Sequence, residues 1–121
     1  MPSPVRRGFT IRQDQDGGEL LVTLAGELDI GGVELLAACA DQICRRRDVA
    51  EVRLDLSGLT FLDGAGAQTL AAACHCLRRD GRRIEVTGIR ARVQRVLDLL
   101  GLALAAERGW PPRPGSPPGP R

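Results

Sequence analysis

The sequence predicts an α/β domain: two layers, a mixed sheet of four to five strands, and helices mainly on one face. Three observations predict it. Segments whose apolar residues recur every second position alternate along the chain with segments of period about 3.6, the signature of strands interleaved with helices. The first two strand segments are separated by Asp16-Gly17-Gly18, which makes them an antiparallel hairpin. The later strands alternate strictly between apolar and polar, whereas a sheet buried on both faces would show unbroken apolar runs.

Phe9 to Asp14 reads as the first strand, because Phe9 and Ile11 alternate with Thr10 and Arg12, and Leu20 to Ala25 as the second. After Gly26-Glu27-Leu28-Asp29 the period lengthens. Val33, Leu36, Ala37, Ala40 and Ile43 form one helical stripe, with Asp29 as the side chain that accepts from the helix's first backbone N–H groups. Val52, Leu54 and Leu56 alternate with Arg53 and Asp55 in a third strand, and Ser57 to Asp63 reads as the connection that follows it. A second stripe, Ala67, Leu70, Ala71, Cys74 and Leu77, ends at Asp80-Gly81. Ile84 and Val86 mark a last strand stopped by Gly88, and Val93, Val96, Leu97 and Leu100 a third helix. These elements place a domain at 9–108, preceded by a flexible segment at 1–8. Six of the eight prolines lie between Trp110 and Arg121, so 109–121 is expected to be a disordered, extended tail.

Composition removes several kinds of chemistry. All 17 basic residues are Arg. Without Lys there is no P-loop phosphate site, Schiff base or protein kinase centre. The single His, His75, has no acidic residue four positions away, so no catalytic residue is expected. Cys39, Cys44, Cys74 and Cys76 lie in helix-like segments without zinc spacing and read as reduced thiols; no metal or cofactor is expected. A net charge of +2 does not point to nucleic acid. Arg45 to Arg47 and the group Arg78, Arg79, Arg82, Arg83 fall where helices should end, where cations offset the helix dipole. No apolar run is long enough for a bilayer of about 30 Å and no secretory signal is visible, so the expected location is the cytoplasm.

The segment that stands out runs from Ser57 to Gly66, between a strand and a helix. A helix entered through Asp63 and the small residues Gly64, Ala65 and Gly66 lets another chain approach its backbone closely. Gly26-Glu27-Leu28-Asp29, followed about thirty residues on by Leu54-Asp55-Leu56-Ser57-Gly58-Leu59-Thr60-Phe61-Leu62-Asp63-Gly64-Ala65-Gly66, resembles the STAS domain of bacterial anti-sigma factor antagonists. The resemblance continues through Gly81 to Gly88 and into Leu100-Gly101-Leu102. It implies a non-enzymatic regulator of transcription that binds an anti-sigma factor, itself a GHKL-type Ser kinase in that family. The partner-binding residues it implies here are Asp29, Gly31, Asp63, Gly64, Ala65, Gly66 and Gln68.

One departure from the family pattern matters. The residue after the Asp that matches Asp63 is a Ser or Thr phosphorylated by the partner in that family; here it is Gly64, followed by Ala65, and neither carries a hydroxyl. The resemblance therefore implies partner binding without phosphorylation at the usual site. Two other readings stand beside it: a non-catalytic STAS subunit of a lipid or solute transport complex, and a stress-signalling scaffold. A response-regulator receiver is disfavoured because its later-strand Lys is missing.

Overall fold

The computed structural model describes residues 8–104. The expected segment at 1–8, apart from Gly8, and the expected tail at 109–121 lie outside the described residues, as do residues 105–108 of the expected domain. The chain opens with the anticipated hairpin. Strands β1 (Phe9–Asp16) and β2 (Glu19–Leu28) pair antiparallel from Asp16↔Glu19 to Phe9↔Gly26. Gly17 turns the corner at φ 63°, a left-handed conformation that costs glycine little because it has no Cβ.

Beyond β2 the order is helix α1 (Val33–Cys44), strand β3 (Glu51–Leu62), helix α2 (Gly64–Arg79), strand β4 (Arg83–Thr87) and helix α3 (Ala91–Leu99). The sheet runs β1-β2-β3-β4, with β2, β3 and β4 parallel, so α1 and α2 are the crossovers that parallel neighbours require. Leu20, Val22 and Leu24 of β2, Val52, Leu54 and Leu56 of β3, and Ile84 of β4 are buried on one face. Leu36, Ala40 and Ile43 of α1, Ala67, Leu70, Cys74 and Leu77 of α2, and Val93 and Leu97 of α3 join them in a single core. Ala37 departs from the expected stripe: it is exposed, and Cys39 is buried instead.

The opposite face of the sheet carries charge. Arg53 on β3 lies between Glu19 at the start of β2 (3.3 Å) and Glu85 on β4 (3.2 Å), tying three strands together across a half-exposed surface. Such pairs add at most about 1 kcal/mol each. Their larger consequence is that this face needs no second layer of helices, as the strict alternation in the sequence anticipated.

Two features differ from the sequence reading. The segment read as a connection, Ser57 to Leu62, continues β3. Between Thr23↔Asp55 and Ala25↔Gly58, and again between Gly26↔Leu59 and Glu27↔Phe61, β3 has one residue more than β2. Each extra residue reverses the inward phase of those that follow, so buried Leu54 and Leu56 are succeeded by buried Leu59 and Leu62. At the first irregularity the Ser57 amide donates to Asp55 Oδ1 at 2.9 Å, which holds the Asp55 carboxyl below its usual range.

The second difference concerns the basic run after α2. Arg78 and Arg79 occupy the last turn of α2, as expected, but Arg82 is buried and serves a different helix. Its Nη2 donates to the carbonyls of Ile43 (2.8 Å), Cys44 (3.3 Å) and Arg46 (2.5 Å), closing the carboxyl end of α1, while Nη1 pairs with Asp80 at 2.9 Å. The Asp80 carboxyl is lowered by this hydrogen bond.

Candidate functional site

Because β2 and β3 are parallel and Leu28 pairs with Leu62, the two strands end side by side, and the residues after them, Asp29 and Asp63, leave the same edge of the sheet. Both carboxylates then do the same local work. Asp29 Oδ1 accepts from the Gly31 amide at 2.9 Å, and Asp63 Oδ1 accepts from the Gly66 amide at 2.8 Å, each capping the turn that follows. Asp63 opens α2, as the sequence suggested. Asp29 does not open α1: it caps a short 3-10 turn, Ile30–Gly32, and α1 starts after it at Val33 with no side-chain cap.

The small residues of the corner have separate roles. An added Cβ at Gly64 would meet nothing within 4 Å, so this position is open to solvent and to an incoming surface. An added Cβ at Gly66 would lie 2.2 Å from the Leu28 carbonyl oxygen and 2.9 Å from Leu28 Cγ. That contact is what lets α2 start directly against the end of β2, where the Asp63 amide also donates to the Leu28 carbonyl at 3.2 Å. Ala65 is half-buried, while Asp29, Gly31 and Gln68 are exposed. The seven residues singled out in the sequence thus fall into two neighbouring turns at one end of the sheet. Gly66 is buried and shapes the corner from within; Gly31 and Gln68 flank it.

Two residues of this end were not anticipated. Ile30, in the turn capped by Asp29, is 75% exposed, and Phe61, two positions before Asp63, is 39% exposed. Ile30 adjoins Asp29 in its turn, whereas Phe61 pairs with Glu27 and alternates with buried Leu62, which sets it on the sheet face away from the helices. The sequence did carry a signal for Ile30, which lies just after the cap residue and outside the helical stripe of α1. Phe61 was hidden by the phase reversal in β3.

His75 is exposed on the far part of α2, with Arg78 Nη2 3.5 Å from its Nδ1, well away from both carboxylates along the helix. Among the described residues, no group of three or more His, Cys, Asp or Glu is placed to hold a metal ion, and no helix is long and apolar enough to cross a membrane.

Comparison with known proteins gives this architecture a family. The family described as "Mlab, STAS domain" matches residues 11–104. Among solved structures, an anti-sigma factor antagonist from Mycobacterium paratuberculosis superposes with a TM-score of 0.66 at 22% identity, covering 84% of this chain and 83% of that one. Unphosphorylated SpoIIAA, also an anti-sigma factor antagonist, gives 0.64 at 20% identity, covering 77% of this chain and 82% of that one. Mglu gives 0.57 at 25% identity over 62% of this chain, which spans only 18% of the Mglu chain. The match over residues 11–104 runs from within β1 to beyond α3, and the chain belongs to the STAS-domain family.

Proposed function

We propose that this protein is an anti-sigma factor antagonist: it binds an anti-sigma factor through the corner formed by Asp29, Ile30, Asp63 and Gly64, and thereby regulates transcription. The observation that supports the reading is that parallel β2 and β3 end together, so that the turn capped by Asp29, with Ile30 exposed in it, and the turn capped by Asp63, with Gly64 open, leave the same end of the sheet. An exposed isoleucine beside two carboxylates suits a partner surface with an apolar contact and a basic flank. The protein performs no chemistry itself; the corner supplies shape, backbone access at Gly64 and charge.

SpoIIAA has been solved in both an unphosphorylated and a phosphorylated form, but the present corner has no hydroxyl at Gly64 or Ala65. Binding here is therefore constitutive with respect to that modification. Incubating the full chain with a GHKL-type anti-sigma kinase and ATP should give a complex whose antagonist subunit keeps its unphosphorylated mass. Gly64→Ser has room for its side chain, and it should gain one phosphate and then bind at least about tenfold more weakly, because about −1.5 to −2 of charge is added beside Asp63. Stoichiometric phosphate on the unsubstituted chain within residues 57–69 would overturn the constitutive reading.

The missing hydroxyl also favours a second reading, a non-catalytic STAS subunit of a transport complex or a stress-signalling scaffold, in which no phosphate switch is required. It uses the same corner and differs in the protein captured: a transport ATPase in place of an anti-sigma kinase.

A further inference from the structure

The ends of α1 and α2 remote from the docking corner hold a pair of thiols in contact. Cys44 is the last residue of α1 and Cys76 lies in the final turns of α2, 32 positions on, yet their sulfurs are 3.4 Å apart. The other two cysteines are situated differently: Cys39 is buried and accepts from Gln13 Nε2 at 3.2 Å, and Cys74 is buried in the core. Cys44 and Cys76 are only partly buried. Cys44 also lines an open cleft of about 610 Å³ whose rim carries Arg45, Arg46 and Arg47.

We propose that Cys44 and Cys76 are a redox-responsive dithiol that closes to an inter-helix disulfide by exchange with an anionic low-molecular-weight disulfide. The sulfurs need to approach by about 1.4 Å to reach the bonded distance of about 2.05 Å, a movement of the order that rotation about the Cα–Cβ bonds supplies. Arg45, Arg46, Arg47 and Arg82 line the cleft against one carboxylate, Asp80, and although Arg45, Arg46 and Arg82 are paired with Asp41, Asp48 and Asp80 the wall stays net basic, which favours an anionic reagent over a neutral or cationic one. Burial, the Cys76 thiol and Asp80 push the Cys44 thiol up to about 12, so at neutral pH Cys44 rests protonated.

The steps balance. One of the two thiols loses its proton and attacks one sulfur of the small disulfide, forming a mixed disulfide and releasing a small thiolate that takes up a proton. The other thiol then loses its proton and attacks the protein sulfur of the mixed disulfide, forming the Cys44–Cys76 bond and releasing the second small thiol. The protein loses two protons and two electrons, and the small disulfide gains them. The bond would staple α1 to α2 at the ends opposite Val33 and Gly64, where both helices begin, leaving the docking corner uncovered.

The test uses the reduced full chain and oxidised glutathione. The expected product is lighter by two hydrogens, with a protease map joining the segment that contains Cys44 to the segment that contains Cys76. Its melting temperature should rise by about 10 °C, from constraint of the unfolded chain across the intervening residues. Cys39→Ser should close in the same way, whereas Cys44→Ser should stop at the mixed disulfide. An unsubstituted chain that keeps both thiols, stops at the mixed disulfide, or links a different pair overturns the proposal. That result is read from the native chain and does not depend on how any variant folds.

Discussion

Replacing Gly66 with alanine is expected to lower the unfolding free energy by about 2–3 kcal/mol, a loss of about 10 °C or more in melting temperature. On propensity alone the change should stabilise α2 by up to about 1 kcal/mol, since alanine is the better helix former. Packing decides against it. The new methyl carbon would lie 2.2 Å from the Leu28 carbonyl oxygen, and that carbonyl is fixed by the Asp63 amide and by its place at the end of β2. Backbone cannot retreat as a flexible side chain can, so either α2 tilts away from the sheet or the turn capped by Asp63 opens. The comparison that isolates this cause is Gly64→Ala, two residues earlier in the same helix. There the added carbon meets nothing, and the change should be neutral or stabilising by a few tenths of a kcal/mol. Denaturant unfolding of the two variants should therefore give opposite or clearly separated shifts; equal shifts would mean that propensity and not contact with Leu28 governs the position.

Substituting Arg82 by methionine should cost about 3 kcal/mol. Methionine retains the apolar stem's volume but removes the donors that serve the carbonyls of Ile43, Cys44 and Arg46, and it leaves the Asp80 carboxylate without its guanidinium partner. The Ile43 and Cys44 carbonyls belong to the last turn of α1 and the Arg46 carbonyl to the turn just past it; Ile43 also accepts from the Arg46 amide at 3.0 Å, a bond that Arg82 reinforces. The damage should appear at α1, nearly forty residues away in sequence, as faster amide exchange around Ile43 and Cys44. Arg82→Lys should recover less than half of the loss, because a single ammonium cannot reproduce a planar fork that reaches several acceptors at once. A methionine variant as stable as the parent would show that solvent satisfies these carbonyls equally well.

Most of the fold was legible because its elements are locally consistent. The hairpin turn at Gly17-Gly18, the period change after Asp29 and the stripe Ala67, Leu70, Cys74, Leu77 each state one structure. The far half of β3 was not legible, since its two irregularities shift the inward phase and a reading based on strict alternation meets Ser57 to Leu62 as a loop. Asp63 was recognisable as a cap because acceptor and small helix-entry residues are adjacent in the chain. Asp29 was assigned to the wrong turn: Gly31-Gly32 permits a 3-10 turn before α1, and sequence alone does not place the boundary between the two. Arg82 and the Cys44–Cys76 pair were invisible for a different reason. Their partners lie 32 to 39 positions away, and only the packing of α1 against α2 and of the post-α2 turn against α1 brings them together.

The same limit explains the exposed apolar side chain of the corner. Ile30 looks unexceptional in the chain, and its significance comes from register: parallel pairing of Leu28 with Leu62 sets the turns that follow them on one edge. The role of that edge is open to direct measurement by hydrogen–deuterium exchange on the full chain, free and in complex with an anti-sigma factor, the partner proposed above. Protection should concentrate in Ile30–Gly32 and in the first turn of α2 from Gly64, with β4 and α3 unchanged. Protection confined to α3 or to the charged face around Arg53, with exchange at Ile30–Gly32 and Gly64 as fast as in the free protein, would contradict docking at this corner.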